Sequence, residues 1–115
     1  MKTVIFTHHN ADYIVQYGTS AQDNWDLIDK SSGNDIWFHV QDYPSSHVVI
    51  DMTNIKPKEL PHEAILFCAK LCKDNSKAKS KEHANVIYTK IKNVVKSTDV
   101  GSVTTRNTVT IVIPS

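Results

Sequence analysis

The sequence predicts an α+β domain: a largely antiparallel β-sheet covered by one main amphipathic helix, with a second, short helix beside it. Three observations predict it. Residues 61–74 carry apolar side chains at helical spacing, several short runs rich in Val, Ile, Thr and aromatics read as strands, and short polar turns join those runs as they do in hairpins. The 115 residues form one domain, 1–115, long enough to bury a core without a disulfide or a metal.

Each element follows in order. Residues 3–7 and 13–17 are β-rich runs on either side of His-His-Asn-Ala-Asp, an N-terminal hairpin that Gly18 ends. Ser20 is the expected N-cap of a helix running to Lys30, with Asp23 as its acidic third position and Ser-Ser-Gly-Asn as its stop. Strands are expected at 36–40 and 47–51, and Pro44 stiffens the turn between them. The main helix starts at Pro61, runs to Asp74 and stops at Asn75 in a left-handed conformation. Its face of Ala64, Ile65, Cys68, Ala69 and Cys72, widened by Leu66, Phe67 and Leu71, should cover the sheet. The Lys-rich residues 75–84 are the expected mobile piece. A strand at 85–91 alternates its side chains, and 102–105 with 108–113 should pair as a hairpin about Arg106-Asn107, where Asn tolerates positive φ.

Composition narrows the class. An apolar content of 40% with 22% charged residues is too apolar for disorder. No run approaches the roughly 20 apolar residues of a membrane span, and the apolar part of the N-terminus is too short for a signal peptide, so a cytoplasmic protein is expected. Cys68 and Cys72, four apart on one helical face, read as small core residues, since a metal or redox pair would need CxxC spacing or further ligands. Charge is unevenly distributed: residues 1–69 hold four Lys against nine Asp or Glu, a net −5, whereas residues 70–115 hold eight Lys and one Arg against three acids, a net +6. Such a basic segment is the footprint of a phosphate backbone, or simply a solvated surface.

Residues 35–48, Asp-Ile-Trp-Phe-His-Val-Gln-Asp-Tyr-Pro-Ser-Ser-His-Val, concentrate chemistry around one turn. Alternation sets Trp37 and His39 on the face opposite Ile36, Phe38 and Val40, offering an aromatic plate and an imidazole of the kind that holds flexible RNA beside a basic groove. Two hydrolytic readings compete. A Ser-His-Asp triad lacks a GxSxG turn and oxyanion-donor glycines. A small metal-dependent enzyme could use His39, Asp42 and His47, though one carboxylate between two strands makes a thin ligand set.

The string DIWFHVQDYPSSHVVI, followed by the Cys68-Ala69 helix, the Lys-rich 76–80 segment, NVIYTKIKNVVK and Gly101-Ser-Val, closely resembles the NFACT-R domain. That domain is the RNA-binding module of the NEMF/FbpA/Caliban proteins of ribosome-associated quality control. Without the other domains of the large members, the chain is most similar to the small stand-alone ones. The resemblance implies non-enzymatic RNA binding in translation or ribosome quality control. Its implied partners are tRNA or rRNA, with the ribosome or ribosomal proteins beside them, and neither cofactor, metal nor membrane. Trp37, His39, His47, Lys79, Lys81, Lys92 and Lys96 are the expected RNA-contacting residues. Asp35, Asp42, Ser45, Ser46, Tyr88, Thr89 and Asn93 are the motif or loop-shaping positions. DNA or a protein partner on the same fold is the alternative.

Overall fold

A computed structural model describes residues 1–114. Six strands form one sheet: β1 (Lys2–His8), β2 (Ala11–Tyr17), β3 (Ile36–Val40), β4 (Val48–Ile50), β5 (His83–Lys90) and β8 (Val109–Pro114). Their order is β1-β2-β4-β3-β5-β8 with every neighbouring pair antiparallel. Two short strands, β6 (Val94–Lys96) and β7 (Val103–Thr105), form a separate ribbon. The helices are α1 (Ala21–Lys30) and α2 (His62–Asp74), so the α+β class and the mostly antiparallel sheet hold.

Local chemistry places the elements. The β1–β2 turn is two residues, His9 and Asn10, both at positive φ (49° and 66°), the conformation that matches the twist of a tight hairpin. Ser20 caps α1 by accepting from Asp23 N, and the Asp23 carboxylate reaches back to Thr19 N and Oγ1. On one sheet face α2 lays Ala64, Cys68, Ala69 and Cys72 over Tyr13, Val15, Phe38, Val40, Val48, Ile50 and Val86. The opposite face carries a smaller cluster of Leu27, Ile28, Trp37, Val49, Ile91 and Val94, which α1 and the ribbon cover.

Three expectations are corrected. Residues 102–105 and 108–113 do not pair with each other: β7 pairs with β6 and β8 with β5. The turn between them exists, with Asn107 at φ 54°, but Thr89 Oγ1 donates to the Arg106 and Asn107 carbonyls and draws that turn onto β5. Asn75 stops α2 at φ −108° rather than in the left-handed region, because its side-chain amide donates to the Leu71 carbonyl and its N–H folds back on the last turn. The segment 75–84, expected to be the loosest, is stitched down. Lys73, buried, donates through Nζ to the carbonyls of Lys79 and Lys81, Lys77 N donates to the Pro44 carbonyl, and Ala78 is fully buried.

Candidate nucleic-acid interface

Strand register builds the site. With Phe38 opposite Val48 on one side and His39 opposite Ile87 on the other, the side chains of His47, His39 and Ile87 make one row across the face that α2 does not cover. Trp37 lies one row deeper, in the cluster with Leu27 of α1 and Val94 of the ribbon. The Trp37 and His39 rings are nearly parallel, 2° between planes and 5.7 Å between centroids, and His47 stands perpendicular to both at 5.2 Å. Among the three, Trp37 is 0% and His47 1% exposed, and only His39 keeps access to solvent. Trp37, expected from the sequence to contact RNA, lines the groove from beneath the surface, as the support of the His39 ring.

Over this row opens a groove of about 1080 Å³. Its walls are the start of α1 (Gly18 to Ala21, Asn24), the β3–β4 loop (Asp42 to Ser46), the end of α2 with Lys77 and Lys79, and the stretch Val100 to Val103. Burial holds both imidazoles below the ordinary histidine value. His47 is pushed down to about 3, by burial first and the neighbouring His39 second, with the Gly101 backbone partly offsetting them. His39 moves the same way through burial, opposed by the Val40 backbone. Near neutral pH the floor therefore presents neutral rings.

The loop walls are held by polar side chains. Ser45 Oγ accepts from Val40 N and donates to the Ser46 carbonyl, and Ser46 Oγ donates to the Gly18 carbonyl. Cys72 Sγ reaches that Ser46 carbonyl from α2. Asp42 occupies a left-handed turn position at φ 68°, and is exposed. Asn24 Oδ1 accepts from the buried His47 N–H at 3.0 Å, and Gly18 N donates to the His47 carbonyl. A Cβ on Gly18 would overlap Asn24 Oδ1, so glycine is required there by close approach.

The expected cations separate. Lys79 lines the groove together with Lys77, and Lys81 Nζ sits 5.9 Å from the ring of Tyr43 on the β3–β4 loop. Lys92 and Lys96 lie elsewhere. Lys92 N donates to the Gly33 carbonyl just beyond α1, and Lys96 Nζ pairs with Asp29 at 2.7 Å near the last turn of α1, 5.4 Å from the Trp25 ring. Ten helical residues, about 15 Å, separate these two ends of α1.

The second-motif residues hold structure. Tyr88 stacks on Phe38 on the α2 face, away from the groove. Thr89 accepts from Asn93 Nδ2, and Asn93 Oδ1 accepts from Arg106 Nε. Asp35 is buried and accepts from Ser32 N and Met52 N, joining two loops. Among the described residues no group of three or more His, Cys, Asp or Glu is placed to hold a metal ion, so His39, Asp42 and His47 do not form the ligand set that the metal reading requires. No helix of the described residues is long and apolar enough to cross a membrane.

Sequence reasoning missed Gly18, Asn24, Tyr43 and Lys77. Asn24 had a visible signal: a polar residue on the inward face of α1, one turn before Leu27 and Ile28. Lys77 stood in the basic run, but nothing local distinguishes it from Lys70.

Known proteins bear on this arrangement. Residues 2–112 match the family model described as NFACT protein RNA binding domain. Coiled-coil domain-containing protein 25 of Mus musculus is 34% identical over 93 residues, 79% of this chain and 45% of the relative. The Rqc2 homolog RqcH of Bacillus subtilis (strain 168) is 40% identical over 63 residues, 55% of this chain and 10% of the relative. The solved C-terminal part of the fibronectin/fibrinogen-binding protein from Streptococcus suis superposes with a TM-score of 0.83 at 28% identity, covering 99% of this chain and 45% of that one. The chain thus spans less than half the length of each of these proteins.

Proposed function

The chain belongs to the NFACT protein RNA binding domain family, and from that premise we propose that it binds RNA, without catalysis, through the groove at the β3–β4 loop. The observation that carries this reading is the meeting, at one place, of the His39 ring, the exposed Tyr43 and the amines of Lys77, Lys79 and Lys81. An aromatic surface bordered by exposed amines is how proteins hold unpaired nucleic acid: rings stack on bases and amines neutralise phosphates. The ligand is tRNA or rRNA, and the setting is translation or ribosome-associated quality control in the cytoplasm, a reading supported by the similarity to an Rqc2 homolog. Lys92 and Lys96 serve as a secondary contact at the other end of α1, because Asp29 already neutralises Lys96.

The test is tRNA affinity at several salt concentrations for the wild type and for Lys77→Ala with Lys79→Ala. For every phosphate that a removed lysine had neutralised, the log–log salt slope should flatten by about 0.7 on a single strand and about 0.9 on a duplex. Equal binding of tRNA and a charge-matched polyanion, or a slope unchanged in the double variant, would overturn the reading.

A further inference from the structure

We propose that the groove holds one unstacked RNA base, laid on the face of His39 that points away from Trp37 as the third ring of that stack, with its edge turned toward His47. This rests on the RNA reading above and specifies what the site takes: an unpaired nucleotide rather than duplex backbone.

Three independent features lead there. The first is the ring geometry. Trp37 and His39 are two residues apart on β3 and stand face to face on the sheet at 2°, so a further flat ring continues an existing stack. Base-on-aromatic stacking is tolerant of sequence, since every base has a π-face. His47, perpendicular to both rings and 5.2 Å from each, walls the stack from the side.

The second is an unpartnered nitrogen. His47 Nδ1 is buried and has no hydrogen-bond partner among the described residues, and His47 lines the groove. Nearly all buried polar atoms in folded proteins are satisfied, so this orphan on the groove floor marks a place where a ligand supplies a partner. A neutral imidazole offers one donor and one acceptor nitrogen. Base edges carry both kinds of group.

The third is charge. Within the groove walls Asp42 and Asp74 balance Lys77 and Lys79, and burial keeps His39 and His47 below their ordinary values, uncharged near pH 7. The interior has no net attraction for an anion. It suits the neutral part of a nucleotide, and the lysines at its border suit the phosphates on either side. A groove of about 1080 Å³ accommodates such a ligand, since ligand clefts run to about 300–1,000 Å³.

The experiment compares three RNA hairpins of equal length: one with a single-nucleotide bulge, one with the same bulge made abasic, and one fully paired. Wild-type protein should bind the bulged hairpin about tenfold more tightly than the other two. His39→Ala should bring all three within about twofold of one another. Far-UV circular dichroism of His39→Ala checks that it folds, and the abasic comparison needs no protein variant at all. If wild-type protein binds all three hairpins alike, the single-base site is overturned and RNA binding stands. If it binds none of them nor tRNA, the RNA reading itself falls and the base site with it.

Discussion

Gly18→Ala tests the packing behind the groove. The added Cβ would overlap Asn24 Oδ1 and lie 2.9 Å from Asn24 Cγ and 3.0 Å from its Cα. The side chain can swing away, but the helix backbone carrying it cannot. Once Asn24 leaves, the buried N–H of His47 has no acceptor, and an unsatisfied buried donor costs about 1–3 kcal/mol. Alanine also restricts the unfolded chain, an effect of opposite sign of roughly 0.4–1 kcal/mol. The broken hydrogen bond outweighs it, leaving a net destabilisation of about 1–2 kcal/mol, or a Tm lower by about 4–8 °C for a domain of this size.

A double-mutant cycle separates this cause from general disturbance. In an Asn24→Ala background the His47 N–H is already unpartnered and the overlapping atoms are gone, so Gly18→Ala should add only the strain of the 3.0 Å backbone approach. The two destabilisations should then fall short of additivity by about 1–2 kcal/mol in urea unfolding. Effects that add to within about 0.5 kcal/mol would refute the coupling of Gly18, Asn24 and His47.

Three further outcomes are expected. Because the folded value of His47 lies at about 3, below an unfolded value near 6.5, its contribution is fully present above pH 6.5 and is lost as pH falls toward 3. Urea stability should decline between pH 6.5 and 4.5 by up to about 1.4 kcal/mol per pH unit, more shallowly in His47→Phe, and a flat wild-type profile would contradict the burial argument. Asp35→Ala strands the buried N–H of Met52 and releases that of the exposed Ser32 to water, and should cost about 1–3 kcal/mol in urea unfolding; a cost under about 0.5 kcal/mol would remove Asp35 from the frame. Cys68 and Cys72 are fully buried, burial drives both thiols up, Cys72 to about 12, and neither should react with a thiol reagent near neutral pH until urea unfolds the protein. Stoichiometric labelling of the native protein would show that the α2 face opens.

Most of the fold was legible because its determinants are local. The Ser20 cap, the N-terminal hairpin and the apolar face of α2 each need only a few neighbouring residues to specify them, although the hairpin turn is His9-Asn10 alone and not the five-residue insert the sequence suggests. What failed was long-range. Residues 103–105 carry a plausible hairpin partner next door, yet they pair with Val94–Lys96, where Val94 packs in the cluster that holds Trp37 and Val103 packs against it. The motif was legible as residue types but not as roles. Period-two alternation put Trp37 and His39 on one face, and it cannot say that α1 descends over the first and stops short of the second.

That difference of one row in the sheet orders the function. The first-half strands β1, β2, β4 and β3 occupy one side of the sheet, and β5 and β8 of the basic second half occupy the other. The two halves of the chain therefore meet along β3 and β5, the line on which His39 faces Ile87. At the far end of α1 Asp29 neutralises Lys96, and Asp42 and Asp74 balance Lys77 and Lys79 in the groove. No net positive field therefore fixes a bound RNA in the groove itself. Position there has to come from the uncharged groups, so substitution of His39 should alter which RNAs bind, whereas substitution of the lysines should weaken all RNAs nearly alike.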